Sequence, residues 1–128
     1  MILHFDGGLR PAAGGGDPCR MEIAVVTGGR SFVRDAPGTG DSCIAEWLAL
    51  RYAVGIAAEA GAQDVLFVGD SRTIVEQALG RWRCRSRQLQ PHLDAYRVAI
   101  TGFARVHVRH VPRSKNLAGI VLARRHDR

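Results

Sequence analysis

Three acidic residues are spaced so that the chain could assemble a reactive site. Asp6 and Asp70 each close an apolar run typical of a strand, and Glu46 lies in a helical stretch. Carboxylates that converge repel one another unless cations neutralise them, and hard oxygen ligands suit Mg²⁺ or Mn²⁺. Two such ions, about 3.5–4 Å apart, can activate water and hold a scissile phosphate for in-line displacement. We therefore expect a hydrolytic metal site.

Each acidic residue also has an ordinary structural explanation. Asp6 could form a turn, and Asp70 could cap the following helix. Glu46 could stabilise the N-terminus of its helix through its negative charge. Taken together, in the strand order described next and in a basic chain, the three residues favour the site.

The elements that must position these residues follow from the apolar pattern. Strands are predicted at residues 2–6, 21–27, 31–34, 64–70 and 104–111, and helices at about residues 43–60, 71–80, 88–103 and 116–125. A short turn between the second and third strands favours an antiparallel meander, and the first helix favours a right-handed crossover to the fourth strand. We therefore predict an α/β fold in one domain, residues 1–128, in which a five-stranded mixed sheet is flanked by helices.

Asp6 and Asp70 are predicted to meet at one edge of that sheet. If the first and fourth strands are parallel neighbours, both carboxylates emerge on the side where such sheets bind ligands. Glu46 shares the apolar line of Leu50 and Ala53 on its helix, which directs its side chain inward. We therefore expect Glu46 to lie beside the two aspartates.

The excess of positive charge suggests a polyanionic partner. The chain has 18 Lys and Arg against 12 Asp and Glu, a formal charge of +6. Nucleic acid is the simplest such partner, and a merely soluble basic surface is an equally weighted alternative. In the run GRWRCRSR, the arginines Arg81, Arg83 and Arg85 suit phosphates, and Trp82 could pack against a sugar or base. The alternative is a solvated charged loop with Trp82 docked in the core.

Membrane-spanning and secretory segments are not indicated by the sequence. No uncharged apolar run approaches the ~18 residues that a membrane span needs, and Asp6 comes too early for a signal peptide. The three cysteines are widely spaced and form no C-x-x-C pair, so neither a zinc site nor a disulfide framework is indicated. We expect a cytoplasmic protein with no membrane partner.

Five motifs occur in a characteristic order: FDGG at residues 5–8, AEWLALRYAV at 45–54, VGDSRTIVEQALG at 68–80, HVPRSKN at 110–116 and LAR at 122–124. Together they resemble the type 1 ribonuclease H family, especially its short reverse-transcriptase-like form. The resemblance implies a ribonuclease H-like fold and a two-metal endoribonuclease that cleaves the RNA strand of RNA–DNA hybrids. It also implies that Asp6 bridges the ions, that Glu46 and Asp70 are further ligands, and that Glu46 approaches a ribose 2′-hydroxyl.

The fourth carboxylate of the family pattern is missing. The family usually shows N-x-x-A-D-x-L-A, and alignment on Asn116 places Ile120 at the aspartate. Isoleucine cannot bind a metal, so the amide oxygen of Asn116 is a candidate weaker ligand; the alternative is that Asn116 only caps the last helix. Because one negative ligand is lost and Mg²⁺ demands near-ideal octahedral geometry, we expect weakened activity with Mn²⁺ favoured. Asp127 lies about 10 Å further along that helix and cannot replace the aspartate.

Further candidate substrate contacts lie beside the acidic residues. Glycines there would let a nucleic-acid strand approach the backbone. The full set of candidates comprises Gly7, Gly8, Ser42, Arg72, Thr73 and Arg113. Many bacterial members of the family carry a histidine in the loop before the last helix, but residues 113–115 contain none. We expect His110 and His126 to be structural or surface residues.

The sequence thus predicts a monomeric, metal-dependent ribonuclease that acts on RNA–DNA hybrids and needs no organic cofactor. One alternative is a non-catalytic nucleic-acid-binding module of the same fold with a degenerate metal site, which Ile120 supports and the three carboxylates oppose. Another is a nuclease of the same fold that acts on other DNA or RNA junctions, which the shortness of the chain opposes.

Overall fold

A computed structural model describes residues 1–10, 20–36, 38 and 40–126, the last without its side chain. The Gly- and Pro-rich run at residues 11–18 predicts a loop. That run and Asp127 lie outside the described residues. The elements are β1 (Ile2–Arg10), β2 (Arg20–Thr27), β3 (Arg30–Asp35), α1 (Ser42–Glu59), β4 (Asp64–Gly69), α2 (Arg72–Ala78), α3 (Gln90–Ala99), β5 (Arg105–His110) and α4 (Leu117–His126). Short 3₁₀ turns follow α3 at Ile100–Gly102 and precede α4 at Arg113–Lys115. The predicted order of strands and helices is confirmed.

One five-stranded sheet carries the fold, in the order β3-β2-β1-β4-β5. β2 pairs antiparallel with both β1 and β3, whereas β4 pairs parallel with both β1 and β5. The predicted α/β class and mixed five-stranded sheet are therefore confirmed. Among the helices of the described residues, none combines the length and the hydrophobicity that a membrane-spanning helix requires.

The first strand is longer than predicted, so Asp6 lies inside it rather than at its end or in a turn. β1 pairs with β4 only from Ile2 to His4 but pairs with β2 as far as Arg10. Glycines after Asp6 do not stop the strand, because β2 continues to supply the antiparallel hydrogen bonds. Asp6 therefore lies where β4 has ended and one edge of β1 is uncovered.

The two faces of the sheet are packed by different helices. On one face, α1 buries Trp47, Leu50 and Ala53 against Phe5 and Phe67, all with no exposed surface. On the other face, α4 packs against β2 through the cluster of Ala24, Val26, Ala118 and Leu122. The predicted inward line of α1 is correct, and Glu46 continues it.

The ends of α1 follow ordinary capping chemistry. Asp41 is the N-cap, and its carboxylate accepts from the Ile44 N–H over 2.8 Å. Ala60 is the C-cap, and Gly61 after it has φ +71°, a left-handed conformation that glycine adopts without steric cost. Because the helix begins at Ser42, Glu46 lies beyond the first turn. The explanation of Glu46 as a helix-terminus charge is therefore wrong.

Candidate active site

The uncovered edge of β1 organises the site. There the Phe5 carbonyl accepts from Asn116 Nδ2 over 2.9 Å, and the Gly7 N–H donates to Glu46 Oε1 over 2.7 Å. Buried backbone groups need hydrogen-bond partners, and β4 no longer supplies them at this point. The side chains of Asn116 and Glu46 take the place of a neighbouring strand, which anchors both beside Asp6.

Gly7 allows the helix that carries Glu46 to lie against the strand. A Cβ atom on Gly7 would overlap the Ala45 carbonyl, so no other residue fits without moving α1 or β1. Gly7 had been predicted as a place where substrate backbone approaches. The structure corrects that role, because the close approach is made by α1 and the Gly7 N–H is already bonded to Glu46.

Asp70 follows β4 and turns its carboxylate toward the other two acids. The N-cap of α2 is Ser71, whose hydroxyl accepts from the Ile74 N–H, so the alternative of Asp70 as the cap is wrong. His110 Nε2 lies 3.1 Å from the Asp70 carbonyl and serves as the donor of that bond. His110 therefore holds the backbone of Asp70, in line with the predicted structural role.

The three carboxylates converge. One oxygen each from Asp6, Glu46 and Asp70 lies within 4.8 Å of the others. Asp6 and Glu46 are buried, at 5% and 6% exposed, and Asp70 is half-buried. Glu46 Oε2 is buried and has no hydrogen-bond partner among the described residues. A buried carboxylate oxygen without a donor is costly, and nothing among the described residues offsets the burial of this oxygen.

Burial and mutual repulsion also determine the pKa values of the buried acids. Burial, followed by the hydrogen bond to Asp6 and its negative charge, raises the pKa of Glu46 well above its usual range. Burial also raises the pKa of Asp6; the hydrogen bond with Glu46 opposes this, Asp70 reinforces it, and the positive charge of Arg113 opposes it. A divalent cation would relieve these penalties, and three hard oxygen donors fit such an ion.

Asn116 does not offer the cluster a ligand oxygen, which corrects its predicted role. Its Oδ1 accepts from the Ala118 N–H over 3.1 Å, while its Nδ2 donates to Asp70 Oδ2 over 2.9 Å as well as to Phe5. The reverse orientation would set the amide oxygen against a carbonyl and a carboxylate. Asn116 thus caps α4, as the alternative prediction stated, and it also donates a hydrogen bond to Asp70.

The first turn of α4 brings no acidic side chain to the site. Gly119 is the residue of α4 that faces it: a Cβ atom there would lie 3.4 Å from both Asp6 Oδ2 and Asp70 Oδ2. Ile120 is half-buried and apolar. In the folded site, α4 therefore supplies no carboxylate, as the alignment had indicated.

A groove of about 430 Å³ opens beside Asp6, between β1, β2 and α4. It is lined by Asp6, Gly7, Gly8, Leu9, Glu22, Ser42, Arg113, Gly119, Leu122 and Ala123. Predicted substrate residues Gly8, Ser42 and Arg113 thus lie together with Asp6. Glu22 was missed, although an acidic residue inside the apolar run at residues 21–27 is visible in the sequence.

Two of the basic residues predicted to contact substrate, Arg72 and Arg81, form ion pairs with a glutamate of α2. Arg81 Nε and Nη2 donate to the buried Glu76 carboxylate over 2.7 and 2.8 Å, and Arg72 Nη1 lies 3.6 Å from the same group. Arg81 is therefore ion-paired with Glu76, and its contact with a phosphate stays a prediction. Thr73 is exposed in the first turn of α2.

The loop after α2 presents its remaining side chains to solvent. Arg83 and Arg85 are exposed, and Trp82 is 47% exposed, so the alternative of a tryptophan docked in the core is wrong. An exposed aromatic ring between exposed arginines is an arrangement that suits a nucleic-acid backbone.

Comparison with known proteins gives the family. A family model described as "Reverse transcriptase-like" matches residues 5–126. The chain belongs to the reverse transcriptase-like family. This membership confirms the resemblance to ribonuclease H that the five motifs had indicated.

Two curated relatives of this reverse transcriptase-like chain match it in sequence. Ribonuclease HI of Halobacterium salinarum is 31% identical over 123 residues, which cover 94% of this chain and 60% of that protein. Bifunctional protein Rv2228c of Mycobacterium tuberculosis is 28% identical over 120 residues, which cover 91% of this chain and 32% of that protein. The chain thus spans 60% of the length of the first relative and 32% of the second, less than two thirds of either.

Solved structures share the fold. The crystal structure of RNase H1 from Halobacterium salinarum superposes with a TM-score of 0.76 at 27% identity, covering 94% of this chain and 92% of that one. The N-terminal RNase H domain of Rv2228c gives a TM-score of 0.74 at 26% identity, covering 94% of this chain and 93% of that one. The ribonuclease H-like fold that the resemblance implied is therefore confirmed.

Proposed function

We propose that this chain is a metal-dependent endoribonuclease that hydrolyses the RNA strand of RNA–DNA hybrids. The observation that carries the proposal is the convergence of Asp6, Glu46 and Asp70 around the unpartnered Glu46 Oε2. Membership of the reverse transcriptase-like family and relatives named Ribonuclease HI and RNase H1 support it. The excess of basic residues, 18 against 12, favours a nucleic-acid substrate.

The proposed chemistry uses two divalent ions, Mg²⁺ or Mn²⁺. When bound, such ions supply an activated water and neutralise charge on the scissile phosphate. Asp6, Glu46 and Asp70 would hold these ions through their carboxylate oxygens. Asn116 keeps the Asp70 carboxylate in its orientation by donating to Oδ2. Cleavage then leaves a 5′-phosphate and a 3′-hydroxyl.

Substrate would be held by basic side chains on both sides of the acidic cluster. Arg113 is exposed and lines the groove, and its positive charge acts on Asp6, so a phosphate held beside Asp6 would lie near this charge. Arg83 and Arg85 are exposed around Trp82 on the loop after α2. Phosphate contacts of this kind position a strand without reading its sequence.

The decisive experiment is cleavage of a labelled RNA–DNA hybrid, with duplex DNA and duplex RNA as controls, in Mg²⁺ and in Mn²⁺. Asp6→Asn should abolish cleavage, whereas Asp94→Asn, which removes an exposed carboxylate on α3, should not change it. Cleavage of duplex RNA at the same rate as the hybrid would contradict the proposed substrate.

A second candidate function is a non-catalytic nucleic-acid-binding module. The observation that favours it is the absence of an acidic side chain from the first turn of α4, where Gly119 faces the cluster. Binding of the hybrid without cleavage in either metal would establish this function in place of hydrolysis.

Two further expectations accompany the proposal. We propose that the chain acts as a monomer and in the cytoplasm. The free thiols of Cys43 and Cys84 fit a reducing compartment. Sedimentation of the purified chain, alone and with hybrid, tests the monomer, and fluorescence localisation in the source cell tests the compartment.

A further inference from the structure

The site has space where a fourth ligand would be expected. Asn116 donates to the cluster, Gly119 has no side chain, and Ile120 is apolar, so α4 supplies no anionic ligand. Asp6, Glu46 and Asp70 carry three negative charges at most, whereas two divalent ions carry four positive charges. The groove beside Asp6 lies on the α4 side, and it contains one other carboxylate, that of Glu22.

Glu22 lies on the same face of the sheet as Asp6. In the β1–β2 register Asp6 pairs with Ala24, which packs beneath α4, and Glu22 is two residues before Ala24. Diagonal neighbours on one face of an antiparallel pair have Cα atoms about 7–8 Å apart, within reach of a cation shared by two carboxylates. Asp6 and Glu22 are therefore diagonal neighbours that face a common groove.

The residue directly opposite Glu22 on the sheet has no side chain. Gly8 is the direct partner of Glu22, and a Cβ atom added to Gly8 would meet nothing within 4 Å. Gly119 leaves the space above the two carboxylates open on the α4 side. Gly8 and Gly119 thus contribute no side chain to the groove that Asp6 and Glu22 both line.

Glu22 is buried and held in a defined orientation. It is 5% exposed, and Arg125 Nη1 contacts its Oε2 over 3.1 Å. The same guanidinium nitrogen contacts Asp35 Oδ1 over 3.1 Å, and Arg10 Nη2 lies 3.5 Å from Asp35 Oδ2. Carboxylates that bind metals are commonly oriented by a second layer of hydrogen bonds, which is the arrangement of Arg125 around Glu22.

We propose that Glu22 replaces the missing fourth carboxylate. Together with Asp6 it holds the divalent ion on the α4 side of the site, and Arg125 positions it. This inference rests on the proposed two-ion hydrolysis. It brings the negative charge of the ligand set to four, which matches two divalent ions.

The test counts bound Mn²⁺ by electron paramagnetic resonance, with the chain in complex with a hybrid whose RNA strand is 2′-O-methylated and resists cleavage. The wild-type chain should bind two ions. Glu22→Gln should weaken the second ion by about tenfold or more and leave the first unchanged. Arg125→Met breaks the same ion pair but keeps the carboxylate, so it should weaken the second ion less than Glu22→Gln does. Asp6→Asn should lose both.

If the ion pair between Glu22 and Arg125 is purely structural, a different result is expected. Glu22→Gln and Arg125→Met would then lower the melting temperature alike, and neither would change the ion count, which would overturn the role of Glu22 while leaving the ribonuclease proposal intact. A wild-type complex that binds no Mn²⁺ would overturn both. If Glu22→Gln does not fold, Glu22→Asp keeps the charge beside Arg125 and withdraws the ligand by one methylene; loss of only the second ion is again expected.

Discussion

Nδ2 of Asn116 lies 2.9 Å from Oδ2 of Asp70, so a neutral amide donates to the acidic cluster from the position where a ligand had been expected. The same nitrogen donates to the Phe5 carbonyl on the uncovered edge of β1. One side chain therefore joins the start of α4 to β1 and to the carboxylate that follows β4. The orientation of Asp70 depends on an interaction between residues 46 positions apart in the chain.

Asn116→Ala should destabilise the chain by about 2–4 kcal/mol, because it removes the cap of α4 and leaves the buried Phe5 carbonyl without a donor. Asn116→Asp should also lose stability and cleavage, because a carboxylate cannot donate to Phe5 or Asp70. Urea unfolding and hybrid cleavage measure the two effects. Faster cleavage by Asn116→Asp would instead indicate that this position is a metal ligand.

Glu46→Gln should stabilise the metal-free chain. The pKa of Glu46 is raised in the folded state, so this state keeps a proton that the unfolded chain has released, and stability falls as pH rises through the interval between the two pKa values. Urea unfolding in chelator at about pH 5 and about pH 8 should show this fall in the wild type and a smaller one in Glu46→Gln. Added Mn²⁺ should stabilise the wild type more than the variant. An equal fall in both chains would argue against Glu46 as its source.

Gly7→Ala should cost about 1–3 kcal/mol or more of stability and should lower cleavage, because the new methyl group overlaps the Ala45 carbonyl and displaces Glu46. Gly8→Ala is the matched control, since the added Cβ atom meets nothing within 4 Å. We expect its melting temperature to remain close to that of the wild type. Equal destabilisation by the two substitutions would show that close packing of α1 is not the reason for glycine at position 7.

The rate of hybrid cleavage should be higher in Mn²⁺ than in Mg²⁺, because α4 contributes no carboxylate and Mg²⁺ tolerates imperfect octahedral geometry poorly. Ile120→Asp introduces the acid at the position of the family pattern and should narrow this difference. The measurement is the ratio of initial rates in the two metals for each chain. A wild type with equal or faster turnover in Mg²⁺ would refute the expectation.

Arg83→Ala combined with Arg85→Ala should weaken hybrid binding and reduce its salt dependence, with a change of up to about 2 in the slope of log K against log salt concentration. Arg97→Ala combined with Arg105→Ala removes the same charge from exposed positions on α3 and at the start of β5, and should change the slope less. Binding titrations at several salt concentrations give both slopes. Identical slopes in the two double variants would mean that only net charge matters.

Much of the architecture could be predicted because local patterns carry it. The apolar alternation of β5, the continuous apolar run of β4 and the inward line of α1 depend on residue types within a few positions, and all appear in the structure. The boundaries were less accurate. β1 continues past Asp6 because β2 pairs with it, and the strand run itself does not contain that information.

The sequence by itself determined the family, the order of elements and the three acids that meet, since these depend on motifs and on periodicity. Only the tertiary structure decided how the acids are held. Gly7 is needed because α1 crosses β1 there, Asn116 donates because β4 ends before Phe5, and Glu22 joins the groove because Gly8 opposes it. Each of these roles arises from a contact between residues distant in the chain, and such contacts have no signature in local residue patterns.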